Sequence, residues 1–513
     1  MKDDIITTRE MQALDMNAEY FGISRLQLME NAGRNVAVEV SSRFKPQDAA
    51  VAIFCGLGGN GGDGFAAARH LACLGFKVDV ILAGQAVQIT NDEARKNWQA
   101  LESLKDFITL HEASDSSIIP DVKAEVLVDA LLGTGLKGPP RPPVLQLIER
   151  INEADAFRVA VDLPSGIDSD SGEVWSEAVK ADLTVTFHKA KPGLVKVKGH
   201  VGELVVKHIG LPQEVERFAG PGDVSIAVKP RPPESHKGDF GRLLVVGGSE
   251  TYSGAPTLTA LAALRTGVDL AFIAAPRDTA YAISSMSPDL ITVKLEGEHL
   301  NIGNLSVLRH HLERATAVAI GPGLGLHRET QEAVKEIVGI AEAKKIPMLL
   351  DADGLKAFAE FEHRIETPAV LTPHVGEYLT LTRKKLPPSL EDRVDSVRRT
   401  AQNLDAVILL KSHVDIISNG YKVKLNFTGN PGMTVGGTGD VLSGIVAAFL
   451  AQGVDSFEAA VAGAFINGAA GDFVKAEKGY HMVSTDLLEW VPKIIDNPMC
   501  HADLREGYHP RVY

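Results

Sequence analysis

The feature that most constrains the fold is a repeated alternation of short apolar runs with glycine-rich or polar loops. Each run is rich in Val, Ile, Leu and Ala, and each enters a loop at its carboxyl end. Strands that alternate with helical segments are typical of parallel sheets flanked by helices, in which ligands bind at the carboxyl ends of the strands. The sequence therefore predicts an α/β fold. The predicted strands are 51–55, 77–83, 126–130, 158–161, 183–187, 242–246, 317–320, 348–350, 369–371 and 406–410.

A proline-rich segment separates two such regions. Residues 211–240 contain five prolines and several glycines, whereas the sequence on each side is strongly periodic. The length of 513 residues allows two to four domains at about 100–200 residues each. We predict a first domain at 1–215, a linker at 216–230 and a second domain at 231–513.

The loop after the first predicted strand reads GLGGNGGDG at residues 56–64. It matches the dinucleotide pattern GxGxxG twice, between a predicted strand and a helix that we place from Phe65. The next strand ends in Ala83-Gly84-Gln85, without the acid that holds a ribose, and no Lys-Ser/Thr pair follows the glycines. These departures disfavour a standard dehydrogenase and exclude a Walker A loop. The side chain of Asp63 is expected to brace the loop through N–H groups.

Three polar side chains lie at or just after strand ends and carry oxygen ligands. They are Asn60, Asp129 and Ser165, which together suit a hard cation of low charge, whereas each alone is better read as a helix cap or an Asx-turn. The loop GTGLKGPPRP, from Gly133, offers backbone N–H groups and Lys137 to phosphate. Asp162, directly after a strand, is a candidate general base or acid.

In the second half, GGTGDVLSG precedes an apolar helix. Gly436, Gly437 and Gly439 present N–H groups at a helix start, where an anion is favoured. Asp440 is placed to accept a proton from a substrate hydroxyl as it attacks a phosphoryl group, although a helix cap is the plain alternative. The residues by themselves predict a kinase of small hydroxylated molecules.

The first half also resembles a known family. The motifs LMENAG, GLGGNGGDGF, DALLGTGLKG and DLPSGID, in this order, resemble the NAD(P)H-hydrate epimerase family over about residues 5–215. The resemblance implies a Rossmann-like α/β/α sandwich that interconverts the R and S hydrates of NADH and NADPH, and a potassium ion bound by Asn60, Asp129 and Ser165. The substrate-binding residues it implies are Gly59, Asn60, Gly61, Gly62, Asp63, Gly64, Gly133, Thr134, Gly135, Leu136, Lys137, Gly138, Pro139 and Asp162.

The second half resembles the NAD(P)H-hydrate dehydratase family, of ribokinase-like α/β fold, over about residues 227–500. The resemblance rests on HKGDFGRLLVVGGSETYSGAP, GPGLG, DADGL, LTPHVGE and GGTGDVLSG. It implies phosphorylation of the C6 hydroxyl of the S hydrate by ADP or ATP with Mg²⁺, followed by loss of phosphate. The implied substrate residues are Ala255, Gly323, His374 and Asp440, and the implied nucleotide residues are Lys411, Ser412, His413, Val414, Asp415 and Gly439. Asp162 and Asp440 are the predicted catalytic residues.

Composition and charge disfavour several other kinds of partner and location. The formal net charge is −14, which makes nucleic acid or an anionic membrane a poor partner. No apolar run is long enough for a membrane span. The three cysteines form neither a disulfide framework nor a metal pattern, so a reducing cytoplasm is expected, and the family resemblance implies a homo-oligomer.

Two alternatives stay open at this point. A kinase of a vitamin-precursor alcohol would explain GGTGD but leave the first half without a role. A nucleotide-binding regulator without turnover would tolerate the loss of Asp162 and Asp440, yet both are present within complete loops.

Overall fold

Two mostly parallel sheets organise the chain, one in each of two units. The computed structural model describes residues 4–135, 138–361 and 363–507. It divides the chain into Met1–Pro212 and Gln213–Tyr513. Both units combine parallel strands with helices, so the predicted α/β class is confirmed.

The first unit contains a seven-stranded parallel sheet. Its strands are β1 (Ala50–Cys55), β2 (Lys77–Leu82), β3 (Ile108–Glu112), β4 (Val126–Ala130), β5 (Phe157–Val161), β6 (Leu183–Phe187) and β7 (Glu203–Lys207). Their order is β3-β2-β1-β4-β5-β6-β7, which is the Rossmann order with one added strand. The order reverses between β1 and β4, so the loops after these two strands flank the crevice where such folds bind ligands.

The helices of this unit follow the sequence signals closely. They are α1 (Thr8–Tyr20), α2 (Arg25–Arg43), α3 (Gly59–Cys73), α4 (Asp92–Glu102), α5 (Val144–Glu153), α6 (Pro192–Lys196) and α7 (Lys198–Val201). Thr7 and Glu10 form a capping box at the start of α1. The prediction that the helix after β1 starts at Phe65 was wrong, because α3 begins at Gly59, inside the glycine-rich segment.

The second unit contains a nine-stranded sheet. Its strands are β8 (Arg242–Val246), β9 (Leu270–Pro276), β10 (Ile291–Leu295), β11 (Ala317–Ile320), β12 (Met348–Leu350), β13 (Ala369–Leu371), β14 (Val407–Leu410), β15 (Asp415–Ser418) and β16 (Val423–Asn426). The order is β10-β9-β8-β11-β12-β13-β14-β15-β16, and β15 is antiparallel to both of its neighbours, β14 and β16. The reversal here lies between β8 and β11, which defines a second ligand-binding crevice.

One helix of the second unit is buried around its whole circumference. The helices are α8 (Pro221–Ala227), α9 (Gly254–Thr266), α10 (Arg277–Ser284), α11 (Leu305–Leu312), α12 (Arg328–Ala343), α13 (Ala352–Phe358), α14 (Val375–Thr382), α15 (Leu390–Leu404), α16 (Thr438–Ala451), α17 (Ser456–Lys478) and α18 (Ser484–Asp496). Helix α16 packs against α9 and α17, and all of its residues from Val441 to Ala451 are buried. A helix that is apolar all round is a core element, so its amino terminus is held rigidly at the sheet edge.

The segment predicted as a linker at 216–230 is packed structure. Ala219 donates its N–H to the Leu425 carbonyl at 2.9 Å, and α8 follows with most of its residues buried against α17. The Asp223 carboxylate pairs with Lys424 at 2.9 Å. This part of the chain therefore belongs to the second unit and is not an extended connection.

Among the described residues, no helix combines the length and the apolar character that crossing a bilayer requires.

Candidate functional site

The glycine-rich segment forms the first turns of α3, and its glycines serve two purposes. A Cβ atom at Gly56 would lie 1.8 Å from the Leu131 carbonyl oxygen, and one at Gly61 would lie 1.9 Å from the Gly56 carbonyl oxygen. These glycines allow backbone segments to approach. At Gly58 and Gly59 a Cβ would meet nothing within 4 Å. The amino end of α3 therefore presents N–H groups to open space, as an anion site requires.

Two of the predicted substrate residues in this segment face protein instead. A Cβ at Gly62 would lie 2.6 Å from the Met29 side chain, and one at Gly64 would lie 2.7 Å from the Cys55 sulfur. Both glycines are buried. Their small size lets α3 pack on α2 and on the sheet, which explains part of the glycine richness without a ligand.

The three predicted cation ligands meet at the carboxyl ends of β1, β4 and β5. The Ser165 hydroxyl donates to Asp129 Oδ1 at 2.6 Å, and the Ser165 N–H donates to Oδ2 at 2.7 Å. The Asn60 side-chain amide donates to the Leu132 carbonyl at 3.0 Å, and the Leu132 N–H donates to Ser165 Oγ at 2.8 Å. Asp129 and Ser165 are fully buried.

One atom of this cluster has no hydrogen-bond partner among the described residues. Asn60 Oδ1 is buried and accepts no hydrogen bond from any of them, and a buried orphan oxygen of this kind calls for an explanation. Burial raises the pKa of Asp129 to about 6, against the hydrogen bonds that it accepts from Ser165. One carboxylate with neutral amide, hydroxyl and carbonyl oxygens fits a monovalent cation better than a divalent one. The donor set therefore fits potassium, and the Leu132 carbonyl is a member that the sequence did not indicate.

The loop after β4 lies directly beside this cluster. A Cβ at Gly133 would lie 3.2 Å from the Asn60 Cβ, whereas one at Gly135 or Gly138 would meet nothing within 4 Å. Thr134 belongs to the same turn, and Pro139 follows Gly138. The predicted phosphate loop thus borders the crevice with open backbone. The predicted residues Leu136 and Lys137 lie outside the described residues.

Asp162 directly follows β5, in a left-handed backbone conformation with φ 64°. Its Oδ1 contacts Lys191 Nζ and accepts a hydrogen bond from the Thr186 hydroxyl at 3.0 Å. A non-glycine residue in this conformation stores strain, which is common at functional sites. Lys191 was not predicted, although it lies in the segment HKAKPG after β6. The sequence signal available was a lysine directly before a proline at a strand end.

Two further carboxyls interact with Asp162. Burial, followed by the charges of Asp162 and Asp15, raises the pKa of Asp63 well above its usual range. Burial also raises the pKa of Asp15 to about 6, although Arg25 and Lys191 oppose the shift. No described N–H group contacts the Asp63 carboxylate, so the prediction that it braces the glycine loop was wrong. Its place in the second turn of α3 leaves the nearby N–H groups to the helix itself.

In the second unit, the strand reversal brings two predicted substrate residues together. Ala255 lies in the first turn of α9 after β8, and Gly323 lies in the GPGLG loop after β11. A Cβ at Gly323 would be 3.4 Å from the Ala255 Cβ and 2.8 Å from that of Tyr252, and Gly323 has φ 68°. Glycine is required here for conformation and space.

The GGTGD segment forms the start of α16. Gly437 is its N-cap with φ 99°, and a Cβ at Gly436 would meet nothing within 4 Å. A Cβ at Gly439 would lie 3.4 Å from Lys411 Nζ. The first turn of this 14-residue helix therefore lies beside an ammonium group. The helix amino terminus and the positive charge together favour an anion. The carboxylate of Asp440 stands in the same turn.

The ammonium group is held by a carboxylate that the sequence analysis did not assign. Lys411 Nζ pairs with Asp351 Oδ1 at 2.8 Å, and the buried Ser443 hydroxyl donates to Asp351 Oδ2 at 2.7 Å. Burial opposes its ionisation, but Lys411 holds the pKa of Asp351 below its usual range. Asp351 is the first Asp of DADGL, and it links β12, β14 and α16. Burial, and after it the charge of Asp351, raises the pKa of Asp440 to about 7.

The residues after Lys411 form a tight turn into β15. The Ser412 N–H donates to Asp415 Oδ1 at 3.0 Å, and Asn426 donates to Asp415 Oδ2 at 3.0 Å. Both Asp415 oxygens thus hold the turn, while His413 is exposed. Val414 lies between them. The side chain of Asp415 therefore accepts bonds on both oxygens within the protein, and Ser412, His413 and Val414 directly follow Lys411 in the chain.

His374 caps α14. Its Nδ1 accepts hydrogen bonds from the N–H groups of Gly376 at 2.9 Å and Glu377 at 3.3 Å, and the side chain is 58% exposed. The Nδ1 atom of His374 is therefore satisfied by the start of the helix. The main chain of His374 bridges to Lys411, so the cap lies beside the ammonium group.

Known protein families match both regions of the chain that contain a crevice. A family model described as YjeF-related protein N-terminus matches residues 25–193, and one described as NAD(P)H-hydrate dehydratase matches residues 243–493. The bifunctional NAD(P)H-hydrate repair enzyme Nnr of Pyrobaculum aerophilum is 48% identical over 496 residues, which are 96% of this chain and 98% of the relative. The chain belongs to the bifunctional NAD(P)H-hydrate repair enzyme family.

Other members of the repair enzyme family match along almost the whole chain. The Nnr protein of Hyperthermus butylicus is 45% identical over 512 residues, which are 99% of this chain and 95% of the relative. Among solved structures, the ADP/ATP-dependent NAD(P)H-hydrate dehydratase from Bacillus subtilis is 26% identical, covers 55% of this chain and 98% of its own, and has a TM-score of 0.47. The family that the motifs predicted is confirmed. A kinase with an idle first half and a regulator without turnover are both disfavoured.

Proposed function

We propose that this chain repairs hydrated NADH and NADPH in two steps, one in each unit. The first unit interconverts the R and S epimers, and the second dehydrates the S epimer at the expense of ADP or ATP. The observation that carries this proposal is the 48% identity to a bifunctional repair enzyme over 96% of the chain, which spans both crevices. Each crevice has its own glycine-lined helix start and its own carboxylate at a strand or helix end.

In the first unit, the open amino end of α3 suits the pyrophosphate of the hydrate. Asn60 Oδ1, Asp129 and Ser165 would hold potassium, which would supply a fixed positive charge at the crevice. Two hydrogen bonds between Asp129 and Ser165, and the bonds of Leu132 to Asn60 and to Ser165, support this grouping. Asp162 is the proposed acid–base residue, since its strained position aims it from the end of β5 beside that cluster.

In the second unit, Asp440 is the proposed base. It accepts the proton of the C6 hydroxyl as the oxygen attacks the terminal phosphoryl group, while Lys411 and the first turn of α16 bind the charge that develops on the phosphoryl oxygens. The phosphate then leaves with the C6–O electron pair, and loss of a proton from C5 restores the ring double bond. A base with a pKa of about 7 is well matched to neutral solution. Magnesium would enter with the nucleotide and neutralise its phosphates.

Ala255 and Gly323 are proposed to line the hydrate pocket, and His374 to border it. For the nucleotide, we propose contacts with Lys411, Ser412, His413 and Gly439. The three cysteines are free, which fits the proposed cytoplasmic location.

Two assays on the purified protein test the two steps separately. Without nucleotide, chiral chromatography should show either single epimer converting to an equilibrium mixture. With Mg²⁺ and ADP or ATP, the near-ultraviolet absorbance of reduced nicotinamide should return. Failure of both reactions would overturn the proposal, and failure of one would remove the corresponding unit from it.

A further inference from the structure

Lys191 is a buried lysine that no motif accounts for. Only 2% of its side chain is exposed, and it precedes Pro192 at the start of α6. A lysine is almost never fully buried unless it is paired. Its partner is the Asp162 carboxylate, the proposed acid–base residue of the first unit.

All three hydrogen-bond donors of this ammonium are used. Besides contacting Asp162, Lys191 Nζ donates to the Thr186 hydroxyl at 3.1 Å and to the Phe187 carbonyl at 3.2 Å. An ammonium has three donors and no acceptor. The side chain is therefore held in place by all three of its contacts, to Asp162, Thr186 and Phe187.

The two carboxylate oxygens of Asp162 differ in their contacts. The Lys191 ammonium, the Thr186 hydroxyl at 3.0 Å and the Phe187 N–H at 3.4 Å all approach Oδ1. No described residue bonds to Oδ2. One oxygen thus fixes the side chain, and the other is left for a ligand in the crevice.

The charges around Asp162 make this lysine necessary. Asp63 on α3 and Asp15 on α1 both interact electrostatically with Asp162, and His188 and Lys191 face the same cluster from the end of β6. Arg25 also acts on Asp15, whereas the ammonium of Lys191 contacts Asp162 itself. Without it, a partly buried carboxylate beside two others would take up a proton.

We propose that Lys191 is a positioning residue of the epimerase site, which keeps Asp162 as a carboxylate and directs Oδ2 to the C6 hydroxyl of the hydrate. The assignment rests on the proposed epimerase function. Oδ2 accepts the hydroxyl proton while the C6–N1 bond breaks and the C6–O bond becomes a carbonyl. The proton then passes from Asp162 to N1. Ring closure on the opposite face of the carbonyl reverses these transfers and gives the other epimer.

The test compares Lys191→Met with wild type in epimerisation without nucleotide, measured by chiral chromatography across a pH series. We expect kcat near neutral pH to fall by on the order of 100-fold and to recover as the pH rises, because the carboxyl must lose its proton without a counter-charge. KM should change little, since the lysine does not touch the hydrate. Lys96→Met, which removes an exposed lysine on α4, should match wild type.

Two further variants keep the test decisive if Lys191→Met does not fold. Thr186→Val keeps the lysine and removes one donor to Oδ1, so it should lower kcat less, with a pH shift in the same direction. Lys191→Arg keeps the charge and should retain the wild-type pH profile at a reduced rate.

The outcomes that would overturn the positioning role differ from the outcome that would overturn the epimerase function. A pH profile of folded Lys191→Met that parallels wild type, or an equal loss at every pH, would overturn the positioning role. If Lys191→Met does not fold, an unshifted Thr186→Val profile or a shifted Lys191→Arg profile would do the same. A wild-type protein that cannot interconvert the epimers would overturn the proposed epimerase function itself.

Discussion

The two crevices use the same parts but connect them differently. Each lies where a parallel sheet reverses its strand order, and each has a glycine-rich helix start, a carboxylate and a buried or half-buried lysine. In the first unit the lysine contacts the proposed catalytic carboxylate directly, as Lys191 contacts Asp162. In the second unit Lys411 pairs with Asp351, and Asp440 is left with a pKa raised to about 7. The two proposed catalytic carboxylates thus differ in whether a lysine contacts them directly.

The largest expected effect comes from removing each carboxylate in turn. Asp440→Asn should lower dehydration by on the order of 1,000-fold and leave epimerisation unchanged, because it removes the base from one crevice only. Asp162→Asn should do the reverse. Absorbance recovery and chiral chromatography measure the two rates on the same preparation. If either substitution abolished both reactions in a folded protein, the separation of the two sites would be wrong.

A second test concerns the lysine of the second unit. Lys411→Met should lower kcat/KM for ADP by about 100-fold, since it removes a charge from the developing phosphoryl site. Lys344→Met, which breaks the surface ion pair between Lys344 and Glu313 on the same unit, serves as the control. Equal rates for the two variants would remove Lys411 from the phosphate site.

The pH dependence of dehydration should reveal the contrast between the carboxylates. Asp440 acts in its ionised form, so kcat/KM should fall about tenfold per pH unit below a pKa of about 7. Asp351→Asn removes a negative charge that raises the pKa of Asp440, so the fall in kcat/KM of this variant should occur at lower pH than in wild type. A fall at the same pH or at higher pH would contradict the electrostatic account of Asp440.

The smallest effect is expected from the cation. Replacing potassium by lithium should slow epimerisation several-fold, because the smaller ion cannot contact all the oxygens that surround Asn60 Oδ1. Asn60→Ala removes that oxygen and should show equal rates in the two salts. Rates of wild type that do not depend on the salt would argue against a cation at this cluster.

Much of the fold could be predicted from short apolar runs in the sequence, but the strands at the sheet edges could not. Strands β3, β7, β9, β10, β15 and β16 were not predicted, and the edge strands β3, β7 and β10 contain at most two buried residues each. Edge strands are covered on fewer sides, so their sequences resemble loops. The prediction for the glycine-rich segment was wrong for another reason. Its glycines predicted a loop, yet tight packing on Met29 and Cys55 also requires glycine inside a helix.

The sites were predictable where one motif holds the residues and less so where tertiary contacts select them. Asn60, Asp129 and Ser165 were predicted to lie close together because all three follow strand ends; in the structure Ser165 bonds to Asp129, and Leu132 links Asn60 to Ser165. In the sequence, Lys191 gave only the weak signal of a lysine before a proline, and Asp351 gave no signal of its own. Their roles depend on partners that lie 29 and 60 residues away along the chain.

The central claim is that one chain carries two consecutive activities, and a single absorbance trace tests it. An equal mixture of the two NADH hydrates is incubated with Mg²⁺, ADP and either wild type or Asp162→Asn. Wild type should restore reduced nicotinamide completely in one fast phase, whereas Asp162→Asn should restore half quickly and the rest only as fast as the epimers interconvert unaided. No recovery by wild type with ADP or ATP, or a full fast phase with Asp162→Asn, would contradict the account.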